Sequence, residues 1–177
     1  MPIIDFPSGR QTFNFDCGPK ALQLVLAYYG IDVREDTLIL KLGADDLGTQ
    51  PADMKAVAES FGFPVGVYTE CTLHRLAQFI DQQTPPIVLV QAWADRYMSL
   101  SDWQETNEYG HYVIAIGYSA NAILFEDPAT HGRSWLSKRE FSARWHDVDP
   151  TNGILLNHFA MVLTGKQPAV RIPQRMG

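Results

Sequence analysis

Residues 11–30 read QTFNFDCGPKALQLVLAYYG, and the rest of the chain is best read outward from them. Pro19 belongs in a first helical turn, where its missing N–H leaves no hydrogen bond unmade, and Gly30 stands where a helix stops. With the apolar run from Ala21 to Tyr29 between them, the pattern predicts a helix over 19–29, with Asp16 as its cap. Cys17 then falls at the helix N-terminus. N–H groups without intrahelical partners and the positive end of the helix dipole favour a thiolate there, and the thiolate is the nucleophile. A lone cysteine is more commonly a small core residue; the helix start is what singles out Cys17. Gly18 beside it leaves room for a substrate carbonyl.

The segments that follow stay helical for a while. A short helix is predicted near 35–42, and a third starts at Thr49-Gln50-Pro51, carries Met54, Val57, Ala58 and Phe61 at helical spacing, and closes at Gly62. Val65 to Tyr68 reads as a short strand, and Thr72 caps a helix through Ile80. From Pro86 the pattern changes. Residues 86–91 form a β-rich apolar run, 112–118 and 123–126 read as a hairpin, and Ser137 with Glu140 makes a capping box for a helix to Trp145. Phe159 to Leu163 is the last predicted strand. Helices first and strands afterwards point to an α+β fold, a helical layer packed on a mostly antiparallel sheet.

The chain of 177 residues is long enough for one domain, assigned to 1–165; residues 166–177 hold Lys166, Arg171 and Arg175 without an acid and are expected to form a flexible basic tail. A formal net charge of −6 argues against a nucleic-acid partner, since phosphate neutralisation needs a basic surface. No apolar run approaches the ~18 residues of a membrane helix, and the start MPIIDFPSGR lacks the parts of a secretory signal, so a cytoplasmic location is expected unless another export route operates. Two cysteines without a C-x-x-C indicate neither a disulfide framework nor a cysteine zinc site. No two histidines share an H-x-x-H or H-x-x-x-H spacing, so no metal is expected. Cys71 reads as a structural thiol. Nothing in the composition fixes the oligomeric state.

A nucleophilic thiolate needs a base, and the base an orienting acceptor. His111 opens an apolar strand just after Tyr109-Gly110, and Asp127 ends the facing strand. With the turn centred near Ser119, Asp127 lies directly opposite His111 on one sheet face; with the turn centred between Ala120 and Asn121, Thr130 takes that place. Gln11, six residues before Cys17, is a candidate side-chain donor to an oxyanion, together with the Cys17 N–H. The stretch 93–109 is polar and aromatic, with Asp95, Asp102, Glu105 and Glu108 among Trp93, Tyr97, Trp103 and Tyr109. As a long connection it reads as a rim or lid that selects a basic or amine-bearing substrate. Gly18, Gly110, Trp103 and Tyr109 are the candidate substrate contacts.

Gln11 to Leu22 followed by Tyr28-Tyr29-Gly30 resembles the bacteriocin-processing, double-glycine cysteine peptidases, which are usually fused to peptide exporters. Leu47-Gly48-Thr49, Gly110-His111-Tyr112-Val113-Ile114 and Phe125-Glu126-Asp127-Pro128-Ala129 agree in order, so the similarity spans roughly 8–164. The resemblance implies a papain-like fold, Cys17 as nucleophile, His111 as base, Asp127 as orienter and Gln11 in the oxyanion hole. It also implies a peptide or protein substrate, a small residue such as Gly-Gly before the scissile bond, and no cofactor. The exporter function is not carried over, because no transporter region follows. Two alternatives stay open: an acyltransferase on the same triad, and a peptide-binding module without catalysis.

Overall fold

The computed structural model describes residues 1–149, 151–170 and 175. Three helices come first: α1 (Cys17–Tyr28), α2 (Glu35–Leu42) and α3 (Pro51–Ser60). They are followed by β1 (Val65–Tyr68), α4 (Leu73–Asp81), β2 (Ile87–Gln91), α5 (Leu100–Glu105), β3 (Gly110–Tyr118), β4 (Ala122–Glu126), β5 (Ser134–Ser137), α6 (Lys138–Arg144) and β6 (Ala160–Leu163). The strands form one sheet in the order β1-β6-β2-β3-β4-β5, and every neighbouring pair runs antiparallel. The α+β architecture expected from the sequence is the one present.

Apolar side chains at Leu22, Val25 and Leu26 of α1 are fully buried, and α1 and α4 both pack on the central strand β3. On the other side, Phe141 of α6 meets Phe125 of β4 at 5.3 Å and stacks on Trp145 at 4.5 Å. Strand alternation accounts for this division. Phe125 pairs with Ala115, whereas Tyr112, three residues away along β3, faces the opposite way and donates its hydroxyl to the Thr49 carbonyl at the start of α3. The sheet is thus covered on both faces, which is why β2 and β3 are buried almost throughout.

The hairpin register departs from both readings of the sequence. At its tip Tyr118 pairs with Ile123 and Gly117 with Leu124, as for a turn centred between Ala120 and Asn121, but a bulge then shifts the pairing so that Ala115 meets Phe125 and Ile114 meets Glu126. Ile116 is the extra residue. One inserted residue reverses the faces on everything beyond it: without it Asp127 would lie across from Ile114 and point away from the side that carries His111. With it, Asp127 falls across from Val113, diagonal to His111 on the same face. The chain's first residues seat on this bulge, with Ile4 N–H donating to the Ile116 carbonyl at 2.7 Å and Ile3 bridging to Gly117.

Two short elements escape the sequence reading. The 93–109 stretch is not an open loop: α5 lies inside it, started by a capping box between Ser99 and Asp102. β5 is a four-residue edge strand. Of the expected tail, Lys166 sits over the Phe63 ring and the Ala169 N–H donates to the Tyr28 carbonyl at 2.9 Å; Arg171 lies outside the described residues. Among the described residues no helix is long and apolar enough to cross a membrane.

Candidate active site

Cys17 is the first residue of α1, but the preceding Asp16 does not cap the helix. Its carboxylate turns backward and accepts from the N–H of Thr12 at 3.2 Å and of Phe13 at 3.0 Å. This corrects the expected cap. An aspartate can bind backbone N–H groups on either side of itself, and here those of the preceding loop win. The first N–H groups of α1 are therefore left without a side-chain cap, and the loop bearing Gln11 is tied to the residue before Cys17. Behind it, Lys20 pairs with Glu35 at 2.8 Å, and Thr12 donates its hydroxyl to the same Glu35 oxygen. Burial, with Glu35 nearby, raises the Asp16 carboxyl above its ordinary range.

His111 Nε2 lies 2.8 Å from Asp127 Oδ1, and the Cys17 thiol is the imidazole's other polar partner. Both His111 and Asp127 are buried, at 7% and 2% exposure. Burial alone would lower the imidazole pKa; the hydrogen bonds to Asp127 and Cys17 outweigh it and push it up to about 9. Asp127 goes the other way. Its burial is overcome by His111, the Ala129 N–H and the Ser134 hydroxyl, and its carboxyl is held below the usual carboxylate range.

Each oxygen of Asp127 has two partners. Oδ1 faces His111 and accepts from Ala129 N–H at 2.9 Å; Oδ2 accepts from Ser134 Oγ at 2.9 Å and from Trp93 Nε1 at 3.1 Å. Trp93 reaches it from a left-handed backbone conformation, φ 63°, unusual for a bulky residue and an indication that the contact is enforced by its surroundings. The sequence reading gave Trp93 and Ser134 no role at this carboxylate. A spacing signal for either is absent, since both come from irregular or edge segments.

Gln11 joins the site from the N-terminal loop. Its backbone N–H donates to the Pro128 carbonyl at 2.9 Å, next to Asp127, and its side chain shares a recess with Trp93, Tyr109, Gly110 and His111. The side-chain amide donates to the Phe13 carbonyl at 2.6 Å, and among the described residues the buried Oε1 has no hydrogen-bond partner. Tyr109 and Gly110 thus lie beside Gln11 and His111. Gly18 adjoins Cys17 in the chain, and both it and Trp103 are packed against other neighbours. A Cβ on Gly18 would stand 2.7 Å from Thr49 Cβ, so the missing side chain makes room for Thr49, just before α3. Trp103 packs under Arg144, whose guanidinium lies 4.0 Å from the ring centroid, and edges against Tyr109. The Asp102 carboxylate of the supposed acidic rim is spent on its capping box.

A cavity of about 370 Å³ opens beside Cys17, bordered by Phe15, Thr49, Leu89, Gly110, Tyr112 and Asp147 among others. Its Asp147 comes from the segment after α6 and presses on Gly110 so closely that any Cβ there would collide with the carboxylate. Cys71, the other cysteine, is buried against the core, and burial pushes its thiol up. Among the described residues no group of three histidine, cysteine or acidic side chains is gathered as a metal would require.

Comparison with known proteins agrees with the resemblance. Residues 5–149 match the model of the peptidase C39 family. The lactococcin transport/processing ATP-binding protein LcnC-like of Lactococcus lactis subsp. lactis (strain IL1403) is 27% identical over 139 residues, covering 78% of this chain but 17% of that protein. The chain therefore spans about a sixth of the length of this relative. Among solved structures, a double glycine motif protease from an AMS/PCAT transporter, in complex with the leader peptide, superposes with a TM-score of 0.62 at 17% identity over 91% of this chain and 92% of that one. The peptidase domain of Streptococcus ComA, a bifunctional ABC transporter, gives 0.65 at 22% identity over 89% and 97%.

Proposed function

The chain belongs to the peptidase C39 family of papain-like cysteine peptidases, and from that premise we propose that it hydrolyses a peptide bond through a thioester on Cys17. The carrying observation is that one buried imidazole touches both the thiol at the start of α1 and a fully hydrogen-bonded carboxylate. An imidazole whose pKa is pushed up to about 9 carries its proton at neutral pH, ready to give it to a leaving amine.

In this reading the Cys17 thiolate adds to the scissile carbonyl. The Cys17 N–H, in an uncapped helix turn, and the Gln11 side-chain amide stabilise the oxyanion, the amide swinging from Phe13 when the oxygen arrives. His111 gives its proton to the leaving amine, then takes one from water, which attacks the thioester and frees the acid and Cys17. Asp127 holds the ring's orientation and its charge, and Trp93 and Ser134 hold Asp127. A small residue before the scissile bond, by likeness to the double-glycine proteases, is the first substrate expectation.

A Gly-Gly peptide aldehyde or vinyl sulfone tests this. The probe should modify the wild type and spare Cys17→Ala. Labelling that persists in Cys17→Ala, or fails in the wild type while iodoacetamide still alkylates Cys17, would instead favour the peptide-binding module.

A further inference from the structure

Asp147 is held as ligand-binding carboxylates are held, yet no part of the hydrolytic machinery uses it. Its Oδ1 accepts from the Val148 N–H at 2.9 Å and from Gln91 Nε2 at 3.2 Å, while no hydrogen bond reaches Oδ2 among the described residues. Gln91 is completely buried at the end of β2, and the rest of its amide is fully engaged: Nε2 also donates to the His146 carbonyl at 3.1 Å, and Oε1 accepts from Tyr109 N–H at 2.9 Å. One buried side chain thus fixes the carboxylate and the strand entering His111 together. That strand enters through Gly110, the one residue type that lets the carboxylate lie against the backbone here.

The carboxylate faces the cavity that Cys17 also lines, and that cavity is electrostatically one-sided. Asp46 and Glu108 stand on its wall with Asp147, and no lysine, arginine or histidine does among the described residues. Burial raises the Asp147 carboxyl above its ordinary range, only partly offset by its hydrogen bonds and by His146, as befits a carboxylate short of a counter-charge. A preorganised, partly desolvated carboxylate with one free oxygen is matched by a protonated nitrogen, which would restore the missing charge partner.

We propose that Asp147 is a specificity residue of this cleft, recognising a cationic nitrogen of the substrate within a few residues of the scissile bond. The nitrogen belongs either to a lysine or arginine side chain or to a free α-amino terminus. The inference rests on the peptidase reading and adds the substrate class to it. It also relocates the basic-substrate preference expected from residues 93–109 to a carboxylate outside that stretch, because Asp102 and Trp103 are engaged elsewhere.

The test is a peptide library made from a cell lysate with chymotrypsin, offered native or fully amine-acetylated and read by mass spectrometry for cleavages absent with Cys17→Ala. The expected result is an enrichment of about tenfold in peptides with a cation at one fixed position from the cut, falling toward unity in Asp147→Asn. Enrichment of lysine and arginine at that position identifies a side chain, whereas cuts at a fixed distance from unblocked N-termini, lost on acetylation, identify the α-amine. The ratio within one preparation is insensitive to how much of a variant folds, and the native-to-acetylated comparison in wild type needs no variant. Cys17-dependent cleavage without cation enrichment, or enrichment unchanged in Asp147→Asn, overturns the inference and leaves the peptidase reading standing. Absence of any Cys17-dependent cleavage overturns both.

Discussion

The two flanks of Cys17 are built in opposite ways. On one, the His111–Asp127 pair is buried and complete: both carboxylate oxygens are doubly satisfied, and the imidazole is gripped from both sides. On the other, Gln11 sits on a loop clasped by the Asp16 carboxylate and, through Thr12, by Glu35, and among the described residues its buried Oε1 has no hydrogen-bond partner. The first flank is locked before substrate arrives. The second is poised, with a donor that must let go of Phe13 to act. In the proposed mechanism, preorganisation of the base and adaptability of the oxyanion donor are thus separate properties of separate chain segments, which meet where Gln11 N–H donates to the Pro128 carbonyl and Ser8 and Gly9 donate to Glu126.

Substitutions can break that contrast. Cys17→Ala, which removes the group both flanks serve, should lower hydrolysis to background, a loss of about 10⁴-fold or more in kcat. On the locked flank, Asp127→Asn should cost about 10²–10⁴-fold in kcat and also move the His111 titration downward, visible in the imidazole C–H resonances on pH titration. On the poised flank, Gln11→Ala should cost about 10²-fold in kcat and leave the His111 titration in place. Should Gln11→Ala shift that titration as far as Asp127→Asn does, the flanks are not separate. Asp16→Asn, which weakens the loop's clasp without touching a reacting group, should give a smaller loss of about tenfold, again with the titration unmoved.

Stability carries the smallest effect, and its sign follows from the pKa directions. His111 is raised from 6.5 to about 9, so its contribution is fully present below 6.5 and is lost as pH rises through about 9. Asp127 is lowered from 3.8, so its contribution is present above that value and is lost as pH falls through its depressed value. The melting difference between wild type and Asp127→Asn should therefore be widest between about pH 4 and 6.5, a few degrees, and shrink on both sides. A difference constant from pH 5 to 10 would mean that the pair is not charged.

The sequence made one flank more legible than the other. Pro19 and Gly30 punctuate α1 by local backbone chemistry, so Cys17 could be placed without knowing any neighbour. The hairpin and its two chemical ends were also readable, but the register was not. The Ile116 bulge that turns Asp127 toward His111 is seated by Ile3 and Ile4, more than a hundred residues away in the chain. Asp16 was misread as a cap because the choice between N–H groups behind and ahead of it depends on the loop's path. The helix α5 is too short and polar to show a periodicity, though Ser99 and Asp102 hold its capping box. Gln91 did leave a mark: it is the one polar residue in the otherwise apolar strand IVLVQ, and a buried amide there must have partners.

The central claim is that Cys17, activated by His111, cleaves peptide bonds. It is tested most directly by incubating the protein with a peptide pool from a cell lysate and sequencing the new termini by mass spectrometry. The account predicts a defined set of cleavages with wild type that disappears with Cys17→Ala and with His111→Ala, while Ser134→Ala yields the same set more slowly. New termini that appear equally with Cys17→Ala would contradict it.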